Sequence, residues 1–325
     1  MYKVLCSEIQ IGNSVFTRVA EVSIESSTQV LEDTAVIKIP TTARLKRDGT
    51  YTVVETAKYF KVGDEVVIKL GYDNQFREEF RGYVRKIKPN TPVEIECEDA
   101  VFLLRRKNLK KAFKNVTLKE LLQYAVAGTG ITLSESIPDV KFDVFYYRDT
   151  SAAYALQKLK EEFGLLLYFT KPKVLHAGLA YDNDKIALKY VFGENIISQN
   201  LEWQEEEDVH IRIKAVHIRK NNTKTEKYYP PKDNHEGELK TIFVYNVSND
   251  KDLELRAKQE ALKYRYKGYK GDIETFLVPN ANVGNVAVLN DPNYQERSGK
   301  YIIDKVTTTY SRSGARRKVE LGLKV

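Results

Sequence analysis

The opening hundred residues alternate. Apolar and polar positions change places with a period of two over 4–11, over 16–25 (Val22, Ile24 and then Ser26), over 34–39 and over 93–98. Such a period turns one face of an extended chain into a core and the other to solvent, and so predicts strands. A turn at Gly12-Asn13 separates the first two, and Pro40, which cannot donate to a ladder, ends the third. Together with the apolar run Val66-Val67-Ile68 and the Gly-led stretch from Gly82 to Ile87, this predicts a six- or seven-stranded barrel or closed sandwich.

At Asp99 the period lengthens to that of a helix. Residues 100–107 form a short helical turn carrying Val101, Phe102, Leu103 and Leu104. Thr117-Leu118-Lys119-Glu120 is a capping box opening a helix with Leu118, Leu121, Leu122 and Ala125 on one side, stopped at Gly128 or Gly130. Thr150-Ser151 caps a second helix in which Leu156, Leu159 and Phe163 recur at helical spacing, with Gly164 just past its end. Strands follow at 165–170 and 185–190, then at 209–220, 239–247, 273–279 and 317–323, interrupted by a charged helix over 252–266 with Leu255, Leu262 and Tyr266 on one face. The expected fold class is mainly β with an α+β insertion. Residues 1–104 form a first antiparallel β-barrel, 105–200 a small α+β domain, and 201–325 a second β-barrel with one helix.

One pattern occurs twice. Val62-Gly63-Asp64 precedes Val66-Val67-Ile68, a polar loop and a strand led by Gly82; Val283-Gly284-Asn285 precedes Val286-Ala287-Val288-Leu289, a polar loop and a strand led by Gly299. The paired glycines lie 19 residues apart in the first copy and 15 in the second, so the expected difference is confined to the loop. A β-unit repeated at opposite ends of a chain predicts one pseudo-symmetric object.

Composition narrows the function rather than the fold. Tyr is the outlier, 21 copies against one Trp and one Met, and suits strands and contact surfaces. The net charge of +7 is scattered among 45 acidic residues and is no nucleic-acid tail. Cys6 and Cys97 sit singly in predicted strands, as buried free thiols of a reducing compartment would. No signal-peptide core and no membrane-length apolar run is present.

Catalytic and cofactor patterns are not found. Of His176, His210, His217 and His235, the second and third fall on opposite faces of one predicted strand and cannot share an ion. There is no nucleophile elbow and no Walker or Rossmann glycine pattern, so no cofactor is expected and the chain is expected not to be an enzyme. The acidic run Glu205-Glu206-Glu207-Asp208 suits a solvated turn better than a metal cluster, and the basic cluster Arg105-Arg106-Lys107, Lys110-Lys111 and Lys114 suits a solvated helix face. The connection 41–60 is long and carries apolar residues without an obvious local core, which makes Tyr51, Val53, Val54, Tyr59 and Phe60 the candidate subunit or tube interface.

The order of three local patterns resembles a known group. They are Asp33 to Pro40 with Val62-Gly63-Asp64-Glu65-Val66 and Phe80-Arg81-Gly82-Tyr83-Val84; Thr117 to Leu122 with the helix from Ser151 and the strand from Leu165 to Phe169; and Val283-Gly284-Asn285 with Gly299-Lys300-Tyr301-Ile302-Ile303 and Val306. In that order they resemble the baseplate hub proteins of contractile phage tails and related injection systems, including the late-control protein D type, the Mu-like 43 kDa tail protein and the hub part of spike proteins. The resemblance implies two tube-type β-barrels with inserted domains. Three subunits would then close a ring of six barrels that adapts a hexameric tail tube to a trimeric spike. It implies a homotrimer, a tail tube protein, a separate spike protein and a lumen for a tape measure protein as partners. It also implies synthesis in the cytoplasm and assembly into a virion tail or an injection-system baseplate. The competing expectation is a monomeric cell-surface or glycan-binding module with tyrosines as stacking platforms.

Overall fold

Alternation builds the first unit as expected. In the computed structural model, which describes all but residues 1–3, 48–49, 136, 138, 164, 179–185, 219–222, 232–236 and 245–249 and only the backbone at 45–47, 50, 162–163, 171 and 218, the chain opens with β1 (Leu5–Ile11), β2 (Ser14–Phe16), β3 (Glu21–Ser27) and β4 (Thr34–Ile39). A hairpin, β5 (Thr42–Arg47) and β6 (Thr50–Glu55), and a single helical turn, α1 (Thr56–Tyr59), precede β7 (Glu65–Tyr72), β8 (Gln75–Lys88) and β9 (Val93–Glu98). The ladder order is β3-β4-β9-β8-β7-β1-β2, antiparallel throughout. Ile9, Val22, Ile37, Ile68, Val84 and Ile95, one from each of six strands, are fully buried in one cluster. One face of every strand in a sheet can reach a common core only if the sheet curls over itself.

The middle segment runs α2 (Val101–Arg105), β10 (Asn108–Thr117), α3 (Leu118–Val126), β11 (Thr132–Leu133), β12 (Lys141–Ser151), α4 (Ala152–Phe163), β13 (Leu166–Lys171) and β14 (Val174–Gly178). The capping box is present: Thr117 N donates to the Glu120 carboxylate at 2.8 Å, and Glu120 N donates to the Thr117 hydroxyl at 3.2 Å. Ser151 Oγ accepts from Tyr154 N at the start of α4, while Gly164 lies outside the described residues. One expectation fails. Lys110, Lys111 and Lys114 lie on a strand, not a helix face, because β10 pairs with β12 over its whole length, a partner about thirty residues away that no local signal announces.

The second unit contains β15 (Ala187–Val191), β16 (Ile196–Gln204), the short turn η1 (Glu206–Asp208), β17 (Ile211–Ile218), β18 (Lys224–Tyr229), β19 (Glu238–Phe243), α5 (Asp250–Leu262), β20 (Gly268–Thr275), β21 (Val286–Asn290), the turn η2 (Gln295–Arg297), β22 (Gly299–Ser311) and β23 (Gly314–Lys324). Six of these strands pair in the order β16-β20-β23-β22-β21-β15 around their own core. The other three, β18-β17-β19, form a small sheet packed against α5 with a separate core. That helix buries Leu253, Ala257 and Ala261 and leaves the expected Leu255 and Leu262 exposed, because two alanines let it approach β17 closely. The division at 200/201 falls inside β16, and the one at 104/105 falls inside α2, whose Val101 and Leu104 belong to the middle core. Nor does each unit close separately. β22 pairs with β3, so the two units share one 13-stranded sheet.

Candidate assembly site

The repeated sequence is a repeated geometry. In the first unit Lys61 N donates to the Asp64 carboxylate at 2.8 Å, Asp64 N to Lys61 O at 3.1 Å, Gly63 N to Val84 O at 2.9 Å, and Val84 N to Asp64 O at 2.9 Å. In the second, Asn282 N donates to Asn285 Oδ1 at 3.0 Å, Asn285 N to Asn282 O at 3.2 Å, Gly284 N to Ile303 O at 2.9 Å, and Ile303 N to Asn285 O at 2.9 Å. The glycines take φ of +99° and +81°, which explains why glycine leads each turn.

Register corrects the alignment of the later glycines. Val66 faces Gly82, and its counterpart Ala287 faces Tyr301, so Gly299 lies two positions before the equivalent of Gly82. The two glycines answer different constraints. A Cβ on Gly82 would come 2.2 Å from Glu98 O, whereas one on Gly299 would meet the Tyr301 ring at 2.9 Å.

The middle segment touches both turns with an aromatic ring. The Phe102 ring lies 3.7 Å from where a Cβ on Gly63 would stand, stacks on Tyr83 at 5.2 Å between centroids, and carries the Arg106 guanidinium 4.0 Å over its centroid. The Tyr168 hydroxyl would lie 2.8 Å from a Cβ on Gly284. Phe102 comes from α2 and Tyr168 from β13, so the middle segment is clasped onto equivalent points of both units.

At the seam itself a charge pair is buried. A bulge in β8, between Ile68–Phe80 and Lys69–Glu78, leaves Glu79 outside the ladder register. The freed side chain meets Arg317 of β23 at 2.5 Å, with side-chain exposures of 7% and 0%. Arg317 also donates to Leu277 O, to Pro279 O at 2.9 Å and to Thr308 Oγ1 at 3.3 Å, so its guanidinium is held from both units. Burial pushes the Glu79 carboxyl up and the Arg317 charge pulls it back. Sequence reasoning missed this pair; its members lie 238 residues apart and neither belongs to a motif.

Beside it lies a cavity of about 260 Å³ where all three segments meet, lined among others by Glu79 and Asp99, by Phe169 and Lys173, and by Asn280 and Val283. Burial pushes Asp33 and Glu98 each up to about 7, and burial together with the charge of Asp33 raises Asp99 well above the carboxylate range. Lys160 donates to Thr28 O at 2.6 Å and Leu167 O at 2.9 Å, and burial lowers it to about 8. Such a seam holds segments together. Among the described residues no three His, Cys, Asp or Glu side chains converge on a point that could hold an ion.

The candidate interface residues divide. Tyr51 and Val53 are 65% and 63% exposed on β6, and Val54 beside them is half-buried. Phe60 is buried in the first core, packed edge-on against Phe16 and Tyr59, and Tyr59 is half-buried against the same core. Those two rings therefore have the local core that their sequence context hides. His176 is buried beside Tyr168, and His217 Nδ1 lies 2.9 Å from Val244 O. His210 precedes β17 rather than lying in it, and His235 lies outside the described residues. Cys97 is buried and Cys6 half-buried, both unbridged. Tyrosines fill the second core, at Tyr190, Tyr269 and Tyr301, while the exposed Tyr51, Tyr146, Tyr154 and Tyr294 are scattered over four separate elements and loops.

No family model and no curated protein matches the chain. Among solved structures it is similar to the 43 kDa tail protein of prophage MuSo2 from Shewanella oneidensis, at 14% identity and a TM-score of 0.66 over 97% of each chain. It is also similar to the tail protein from Neisseria meningitidis MC58, at 14% identity and a TM-score of 0.68 over 98% of this chain and 96% of that one. The chain has the fold of these tail proteins. The same tail-protein fold extends to the E. coli c3393 protein, described as a component of the type VI secretion system with structural similarity to T4 bacteriophage tail proteins gp27 and gp5. There the identity is 10% and the TM-score 0.63, over 98% of this chain and 76% of that one.

Proposed function

We propose that the chain is a structural hub subunit of a phage tail or related injection machine. In this reading three copies close a ring of six equivalent β-units between a hexameric tail tube and a trimeric spike. The observation that carries the reading is the duplicated topology. With β2, the β5–β6 hairpin and the β17–β19 sheet set aside, the six remaining strands of each unit, numbered in chain order, both run 2-3-6-5-4-1, with the same four-bond turn at the same corner. Two equivalent units per chain are what a three-fold ring needs to meet a six-fold tube. Among the described residues the shared sheet leaves unpaired edges at β16, at β15 and at β2 with the first half of β1, available for strand pairing between copies. Tyr51, Val53 and Val54, on a hairpin outside that sheet, are the proposed contact to tube or neighbouring subunit, and the ring's lumen would pass a tape measure protein. The tail-protein fold supports this reading over a glycan-binding module, as does the burial of so many tyrosines in a core.

Sedimentation of the full chain over a concentration series tests it. The expected species is three times 37.4 kDa, about 112 kDa, with rings visible by negative-stain microscopy. A chain that stays monomeric at every concentration, alone and with a spike protein added, sinks the proposal.

A further inference from the structure

Two charged motifs remain outside everything above, and the structure leaves both solvent-facing. β10 and β12 form a two-stranded sheet with, among the described residues, no third strand on either edge. One face packs inward, where Phe113 and Tyr147 meet Tyr124 of α3. On the outer face the cross-strand pairs are Lys110–Arg148, Ala112–Tyr146 and Lys114–Val144. Tyr146 is 56% and Val144 48% exposed, so two apolar side chains stand ringed by three cations. Among the described residues Lys114 and Arg148 make no ion pair, and Lys110 reaches only the bulged Asp149, at 3.5 Å. The opposite charge sits on η1, the turn entering the small β17–β19 sheet. Glu206, Glu207 and Asp208 are all exposed and, among the described residues, make no ion pair of their own; only Glu205 is engaged, by Lys267 and Trp203.

Like charges held together without partners raise the energy of the isolated chain slightly, and a surface of the opposite sign relieves them. We propose that the basic face of the β10–β12 sheet docks the acidic η1 turn of a neighbouring copy of this chain. The two patches are different surfaces of one molecule, so the contact is head-to-tail, the class of interface that closes rings when the rotation allows. Lys110, Lys114 and Arg148 set register and approach rate, and Tyr146 and Val144 are covered by the contact. This rests on the ring reading above and names which surfaces meet.

Three full-length variants test it beside the wild type, each checked by circular dichroism: Lys114→Glu with Arg148→Glu, Glu206→Lys with Glu207→Lys, and all four together. Sedimentation at roughly 50 and 500 mM salt, on either side of strong screening, reads the self-association constant. Each two-site variant is expected to weaken association about tenfold or more, tenfold being the low end of what close charge pairs across an interface are worth, and the four-site variant to restore it. Wild-type association is expected to weaken at the higher salt. If both two-site variants assemble as the wild type does, or the four-site variant stays as weak as either, the contact is overturned while rings remain. Loss in the Lys114→Glu, Arg148→Glu variant alone also overturns it and gives the basic face to a different acidic partner. A wild type that never associates overturns the ring reading and this contact together.

Discussion

The two units share the strand order of their six equivalent strands and the same turn, yet their cores differ in aromatic content. The first is aliphatic, built from Ile, Val and Leu with Phe60 and Phe80 at its margins. The second adds Tyr190, Tyr269 and Tyr301 to an aliphatic set that includes Ile273, Leu289, Ile303 and Val319, with Tyr168 entering from the middle segment and Trp203 and Phe192 packed against them. Tyr301 places its hydroxyl by accepting from Tyr269 N at 2.9 Å, whereas the Tyr190 hydroxyl is buried without a hydrogen-bond partner among the described residues. They differ too at the first strand, since β1 runs antiparallel to β7 and β15 parallel to β21. Topology is therefore held by period-two alternation and a glycine turn, while the filling of the core is free to vary so long as volume is met.

The sharpest way to break the equivalence is at the seam that joins the units. Glu79→Ala leaves Arg317 buried without a counter-charge and is expected to cost about 3–5 kcal/mol in denaturant unfolding. Replacing both residues by apolar ones of similar volume should recover most of the loss. A Glu79→Ala protein as stable as the wild type would show that the pair does not join the units. Of comparable size, Phe60→Ala removes a buried ring of the first core and is expected to cost about 3–5 kcal/mol, which would place Phe60 in folding before any assembly contact. Unchanged stability with weakened assembly would reverse that assignment.

The glycines sharpen the comparison further. Gly82→Ala drives a methyl into the Glu98 carbonyl and is expected to cost about 1–3 kcal/mol, whereas Gly299→Ala meets only the Tyr301 side chain and should cost less. Equal costs would undo the distinction drawn from register. At the turns themselves, Gly284→Ala crowds the Tyr168 hydroxyl while Gly63→Ala finds its nearest neighbour at 3.5 Å, so beyond the shared backbone strain the second should be the milder.

The buried carboxyls at the seam add a pH dependence. Burial pushes Asp33 and Glu98 up to about 7 in the folded chain, against ordinary values of 3.8 and 4.5, so the unfolded chain loses these protons first. Their contribution to stability is full below about pH 4 and is lost as pH rises through about 7. Urea midpoints measured between pH 5 and 8 should fall along this window, and Asp33→Asn should flatten the fall. A midpoint that rises there in wild type and variant alike would mean that these carboxyls are charged in the fold.

What could be read from the chain and what could not separate along one physical line. Alternation, the Val-Gly-Asp and Val-Gly-Asn turns and the Thr117 capping box are written within a few residues, and each is found where the local pattern puts it. The long connection misled because the pocket that takes Phe60 is made by strands elsewhere in the sequence, and the Lys110–Lys114 cluster misled because its strand partner is remote.

By itself, then, the sequence determined the periods, the turns and the fact of a duplication, since these depend on backbone sterics and on which face each side chain takes. Only the tertiary structure decided that β22 pairs with β3, that a bulge sends Glu79 to Arg317, and that Phe102 and Tyr168 clasp the two turns. Those choices rest on desolvation and packing between residues as much as 238 apart, whose free energy no local window contains.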